Sequence, residues 1–225
     1  ERLLQLDTAT RRNLELTHAL SGGRANSLLS VIDRTQTAGG ARLLERRLTG
    51  PSTDLSVIRA RHDAVAFFVS DALIRDELES ELRRIPDLDR ALSRLALDRG
   101  GPRDLSAIRD GLLGAARLSV KLASVDLPPL LNGAAAALQG HDDLCALLEA
   151  ALVAEPPVQL RDGGLIASAY HAELDEARTL RDEGRSVIAS MQAEYVEATG
   201  VSALKIKHNN VLGYFIETTG KGKTP

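Results

Sequence analysis

Residues 170–199 run for thirty positions with no proline and a single glycine, Gly184. Leu174, Ala177, Leu180, Gly184, Val187, Met191 and Tyr195 recur there every three or four residues. Glu173, Asp175, Glu176, Arg178, Arg181, Asp182, Glu183 and Arg185 lie between them. That spacing lines one side of an α-helix, so the stretch predicts one continuous helix with a narrow apolar stripe. At 1.5 Å per residue it reaches about 45 Å, longer than an average helix. Such a helix projects from a body and packs against a single partner helix. Composition agrees: 38 Leu and 31 Ala stand against six aromatic residues. That balance favours helices and disfavours a β-sandwich, which needs β-branched and aromatic residues.

Before residue 170 the punctuation predicts a series of shorter helices. Leu3 to Leu6 reads as a short strand, followed by a helical turn through Leu16 capped by Asp7 or Thr8. Gly22-Gly23 interrupts the pattern. Ser27 to Asp33 forms a short helix, Thr37 caps another that ends before Gly50-Pro51, and Asp54 caps a longer one carrying Leu55, Ile58, Val65 and Phe68. Pro86 occupies a first helical position, ahead of Leu88, Leu92 and Leu95. Gly100-Gly101-Pro102 is a stop, and Asp104 opens a helix through Leu118. An Ala-rich helix lies between Pro128-Pro129 and Gly140, and a last one runs from Asp142 to Ala154.

After Gly200 the period becomes two. Leu204 to His208 alternates, with Lys205 and Lys207 on one face and Leu204 and Ile206 on the other. Asn209-Asn210 predicts a hairpin turn and Leu212 to Thr218 the returning strand. Charge changes at the same place. Residues 200–225 hold four of the five lysines, no arginine and one acid, Glu217, for a formal +3; residues 1–199 then carry −6 of the net −3. The shift marks a domain boundary near Gly200 and a small basic module suited to phosphates. Lys205, Lys207, His208, Asn209, Asn210, Lys221 and Lys223 are its candidate backbone-contacting residues, because such contacts need cations and amide donors and carry no base information.

Little else points to chemistry. Gly222-Lys223-Thr224 ends like a phosphate-binding loop, but the pattern needs a glycine where Glu217 stands. The five histidines have no i, i+4 pairing and no cysteine partner, so no metal is expected. Cys145, the one cysteine, lies beside Leu144, Leu147 and Leu148 and reads as a buried small hydrophobe. No run of about 18 apolar residues exists to span a membrane, and no signal peptide is seen. A reducing, cytoplasmic setting is expected. The first residue is Glu1 and the sole methionine is Met191, so the chain reads as a piece of something longer.

Four segments together resemble the middle of MutS, the family of DNA mismatch-recognition ATPases. They are Leu6 to Leu16; Arg94 to Leu97 with Gly100 to Leu105; Pro156-Pro157-Val158 through Arg161 to Gly164 and on to Glu173-Leu174-Asp175-Glu176; and Leu204-Lys205 with Asn209, Gly213-Tyr214, Ile216 and Glu217. Lys207 and His208 depart from the commonest form. The resemblance implies a mainly α fold. Residues 1–169 would be a helical core or lever base, 170–199 a long lever helix, and 200–225 the start of a truncated β-containing DNA clamp. It implies that this segment catalyses nothing and holds no cofactor, while the parent protein is a DNA-dependent ATPase using ATP and Mg in a domain outside the chain. Implied partners are double-stranded DNA, matched or mismatched, and a second copy of the parent, with no membrane. The segment would couple ATP state to backbone binding in mismatch repair. Phe215-x-Glu217 shares the spacing this family uses to stack on a mismatch, but here reads as strand packing. The alternative function is a helical protein-interaction scaffold that does not touch DNA.

Overall fold

The structure is a computed structural model that describes residues 2–218. It is mostly helical and ends in one two-stranded antiparallel hairpin, as composition and periodicity predict. Contacts divide the chain into two compact units, within residues 1–167 and 168–225.

The first unit contains α1 (Thr8–Asn13), α2 (Leu28–Ile32), α3 (Ala38–Thr49), α4 (Leu55–Ser70), α5 (Ala72–Leu82), α6 (Leu88–Ala96), α7 (Pro102–Leu122), α8 (Pro129–Ala136) and α9 (Asp142–Ala151). Six of them start in the same way. Asp7, Ser27, Thr37, Asp54, Asp71 and Asp87 are extended or nearly so, and each side chain accepts from an N–H two or three residues on. These bonds satisfy donors that a first helical turn leaves orphaned.

Several boundaries differ from those expected, each for a local reason. Leu3 makes one antiparallel bridge to Ser52 rather than a strand. α1 stops at Asn13 because Glu15 turns to φ 48°, where the Leu20 N–H donates to its carboxylate at 2.5 Å. Asp71 both ends α4 and caps α5, a helix the spacing did not separate because no glycine or proline marks the break. Pro86 does not take the first helical position; Asp87, directly after it, caps α6, and Leu88 is the first helical residue. α7 begins at Pro102, and Asp104 sits in its first turn, accepting from the Gly101 N–H at 2.8 Å. α9 ends at Ala151 because Leu152 becomes extended and bridges Ile166.

The core gathers on α7. Leu118 packs with Ile74 and Leu78 of α5, ringed by Phe67, Phe68, Leu82 and Ile85. A second cluster joins Ala151, Leu152 and Leu165 to Leu105 at the start of α7. Between the clusters Arg109 is buried, with its guanidinium donating to the carbonyls of Val153 (2.9 Å) and Ala154 (3.2 Å) and to Asp110 (2.9 Å). A buried charge is tolerated because every side of it is hydrogen-bonded.

α6 crosses α7 closely enough that side-chain volume decides the fit. A Cβ on Gly111 would lie 2.4 Å from Cδ2 and 2.7 Å from Cγ of Leu88. Gly111→Ala should therefore destabilise by about 1–3 kcal/mol through overpacking, exceeding the roughly 1 kcal/mol that alanine gains in helix propensity. At Gly184 a Cβ would meet nothing within 4 Å, so Gly184→Ala should stabilise its helix by up to about 1 kcal/mol. Urea midpoints moving the same way for both variants would contradict this packing.

Asp87 also ties two distant parts of the first unit. Arg42 of α3 donates to both its oxygens, at 2.8 and 2.7 Å, and to Asp89 at 3.0 Å. The guanidinium lowers the Asp87 carboxyl from 3.8 to about 2. A depressed folded-state pKa adds stability that is present above the unfolded value and lost as pH falls through the folded one. Asp87→Ala should cost about 1 kcal/mol or more at neutral pH through the lost cap. Its deficit in urea midpoint should shrink between pH 4 and pH 2; a deficit constant over that range would deny the Arg42 pair any part in stability.

The second unit holds α10 (Ala172–Thr199), β1 (Lys205–Asn209) and β2 (Gly213–Glu217). α10 is 28 residues of unbroken helix, about 42 Å long. The apolar stripe is largely exposed: Leu180 is 63% and Val187 58% accessible. Its charges pair locally, Arg178 with Asp175 and Arg181 and Arg185 with Asp182. The helix ends at Gly200, whose φ of 66° takes the left-handed conformation that reverses the chain and whose N–H donates to the Val196 carbonyl.

Candidate nucleic-acid interface

β1 returns alongside the last turns of α10. Leu204, just before the strand, is buried, and the Ile206 N–H donates to Oε1 of Gln192 at 2.9 Å. A lone hairpin is marginal in water, and these two contacts fasten it to the helix.

The register pairs Lys205 with Glu217, Ile206 with Ile216, Lys207 with Phe215, His208 with Tyr214 and Asn209 with Gly213. Directly paired residues share a face. Lys205, Lys207 and Asn209 therefore lie on one face with Phe215 and Glu217, whereas His208 lies on the other with Ile206, Ile216 and Tyr214. The His208 and Tyr214 rings meet edge to face at 4.8 Å. The expected basic module is thus divided, with its lysines on one side of the ribbon and its histidine on the other.

The turn also differs from the expected Asn209-Asn210. Asn209 ends β1 and Gly213 begins β2, so the connection is Asn210-Val211-Leu212. Positive φ falls on Gly213 (68°), not on an asparagine. Asn209 organises the turn through its side chain, with Oδ1 accepting from the N–H groups of Val211 (3.0 Å) and Leu212 (2.7 Å). Its amide nitrogen then remains the group to offer a phosphate. Val211 at the tip is 91% accessible.

Two residues shape the lysine face through contacts that charge counting does not reveal. Glu217 forms an ion pair with Lys207 across the strands, and Gln192 holds β1 through its backbone. The alternation locates neither, because each contact depends on the register or on the chain reversal at Gly200. The Lys207–Glu217 pair is about half exposed on both sides, so it contributes at most about 1 kcal/mol. A phosphate can replace Glu217 at little cost. Lys205 has no ion-pair partner among the described residues, while Lys221, Lys223 and the Gly222-Lys223-Thr224 run lie outside them.

Elsewhere, Cys145 is half-buried rather than buried, and burial together with Glu149 and Asp142 pushes its thiol pKa up, away from a nucleophile's. Among the described residues no group of three or more His, Cys, Asp or Glu side chains is placed to hold a metal. No helix there is long and apolar enough to cross a membrane.

Comparison with known proteins turns this geometry into a family assignment. Residues 9–198 match the model of MutS domain III. The DNA mismatch repair protein MutS of Dinoroseobacter shibae is 64% identical over 216 residues, covering 96% of this chain and 25% of the relative. MutS of Ruegeria sp. is 64% identical over 219 residues (97% and 25%), and that of Paracoccus denitrificans 61% over 216 (96% and 24%). The chain spans about a quarter of the length of these relatives. The resemblance of its four segments is thereby established: the chain belongs to the MutS family, with residues 9–198 forming its domain III.

Proposed function

We propose that this chain is the lever and the beginning of the clamp of a mismatch repair protein, coupling the ATP state of the full-length protein to its grip on the DNA backbone. The observation that carries the reading is the lysine face of the β1–β2 hairpin, fastened by Leu204 and Gln192 to the end of a 28-residue helix. Lys205 and Lys207 supply cations, Asn209 an amide donor, and Lys221 and Lys223 extend the basic run in sequence. His208 and Asn210 are alternative contacts from the opposite face and the turn.

Groups of this kind hold phosphates without reading bases, as a clamp acting on any sequence requires. The long helix supplies the mechanical link, since a continuous hydrogen-bonded rod carries displacement from end to end. In this reading domain III hydrolyses nothing itself; ATP and Mg belong to another part of the full-length protein, which acts as a dimer in the cytoplasm. The test is the salt dependence of duplex binding by the full-length protein with the hairpin lysines reversed. A helical scaffold that leaves DNA alone would show no change.

A further inference from the structure

In the first unit, α1 and the loop that follows it border a half-open hollow of about 440 Å³. That is within the usual range of small-ligand sites. Arg11 and Arg12, in the last turn of α1, line one side, and Thr17, His18, Gly22 and Gly23 line the other. Gly22 and Gly23 have φ of 96° and 79°, which turns the loop back with bare backbone toward open space.

The charge of the hollow is one-sided. No carboxylate lines it, although the chain as a whole is acidic. Two acids stand at its edge, each already accepting a backbone N–H. Asp7 accepts from the Thr10 N–H at 2.6 Å, capping α1, and Glu15 accepts from the Leu20 N–H at 2.5 Å. The Thr10 hydrogen bonds and, more weakly, Arg11 hold the Asp7 carboxyl below its ordinary pKa. Neither Arg11 nor Arg12 has an ion-pair partner among the described residues, so both guanidinium groups are available to a ligand. The Thr17 hydroxyl lies 3.0 Å from Nδ1 of His18. When that hydroxyl donates, Nε2 keeps the ring proton and adds another donor.

We infer that this hollow binds a small free oxyanion of the phosphate class, inorganic phosphate or pyrophosphate. Two planar guanidinium forks match the paired oxygens of a phosphoryl group, and the His18 imidazole N–H adds a donor. This site is separate from the hairpin, and its test is independent of the DNA-binding reading.

The experiment titrates the 225-residue chain with phosphate and with pyrophosphate by calorimetry and ³¹P NMR, and in parallel with a short duplex. Saturable one-to-one binding is expected, tighter for pyrophosphate. Arg11→Gln with Arg12→Gln should weaken it at least about tenfold, the effect of losing charged hydrogen bonds. Arg59→Gln, an exposed arginine elsewhere, should leave it unchanged. Arg11→Lys with Arg12→Lys keeps the charge and the surface, loses the fork, and should fall between; it also serves if the glutamine pair melts early. Absence of saturable binding overturns the proposal, and so do variants that titrate like the wild type. If the arginine pair governs duplex binding but not phosphate binding, the pair is a DNA contact and the proposal is equally wrong.

Discussion

Reversal of Lys205, Lys207, Lys221 and Lys223 to Glu in the full-length protein is expected to weaken matched and mismatched duplexes alike and to flatten the salt dependence of binding. Each lysine–phosphate contact releases condensed counterions and contributes about 0.9 to the slope of log affinity against log salt, so four contacts account for up to about 3.6. Equal loss on both duplexes follows because backbone contacts carry no sequence information. The register refines the expectation. Lys205 and Lys207 share an exposed face with Glu217, so the pair Lys205→Glu and Lys207→Glu should remove up to about 1.8 of that slope. His208→Ala, on the opposite face against Tyr214, should change the slope least. Binding isotherms between 50 and 200 mM salt measure this, and an unchanged slope in the fourfold variant would remove the hairpin from the interface.

The second large effect concerns α10. Leu180 lies in the interior of the helix and is 63% accessible, so substitution there disturbs the backbone more than any core. Proline removes the bond from residue 180 to the carbonyl of Glu176 and clashes with the preceding turn, costing about 3 kcal/mol or more and kinking the rod. In the full-length protein Leu180→Pro should leave nucleotide binding and the hairpin charges in place, yet abolish the effect of ATP on DNA dissociation, since the link would lose its two defined positions. Leu180→Met keeps the stripe and should cost under about 1.5 kcal/mol with coupling intact. DNA dissociation with and without ATP, alongside thermal melting, decides the matter. A folded proline variant that answers ATP like the wild type would make α10 a spacer.

Much of the helical organisation is legible one residue at a time. A short polar side chain ahead of an apolar period marks a helix start, and Thr37, Asp54 and Ser27 cap where that rule puts them. The rule fails where one residue does two tasks. Asp71 ends one helix and begins the next without glycine or proline, and Asp104 resembles a cap but works from the first turn, held by Gly101 and Arg94. The candidate site shows the same division. Alternation put Lys205 and Lys207 together, but it could not place His208 against Tyr214 or Glu217 beside Lys207, because a shift of one residue in register exchanges the faces of a strand.

By itself the amino-acid sequence determined the helical class, the long rod read at residues 170–199, most caps and the basic hairpin that follows. Each is set by hydrogen bonds and periodicities within a few residues. Only the tertiary structure decided which distant groups meet: Arg42 with Asp87, Arg109 with the carbonyls of Val153 and Ala154, and Leu88 over Gly111. Those pairings depend on how helices pack, and packing is chosen by the volume and charge of all the neighbours at once, which no local window of the chain contains.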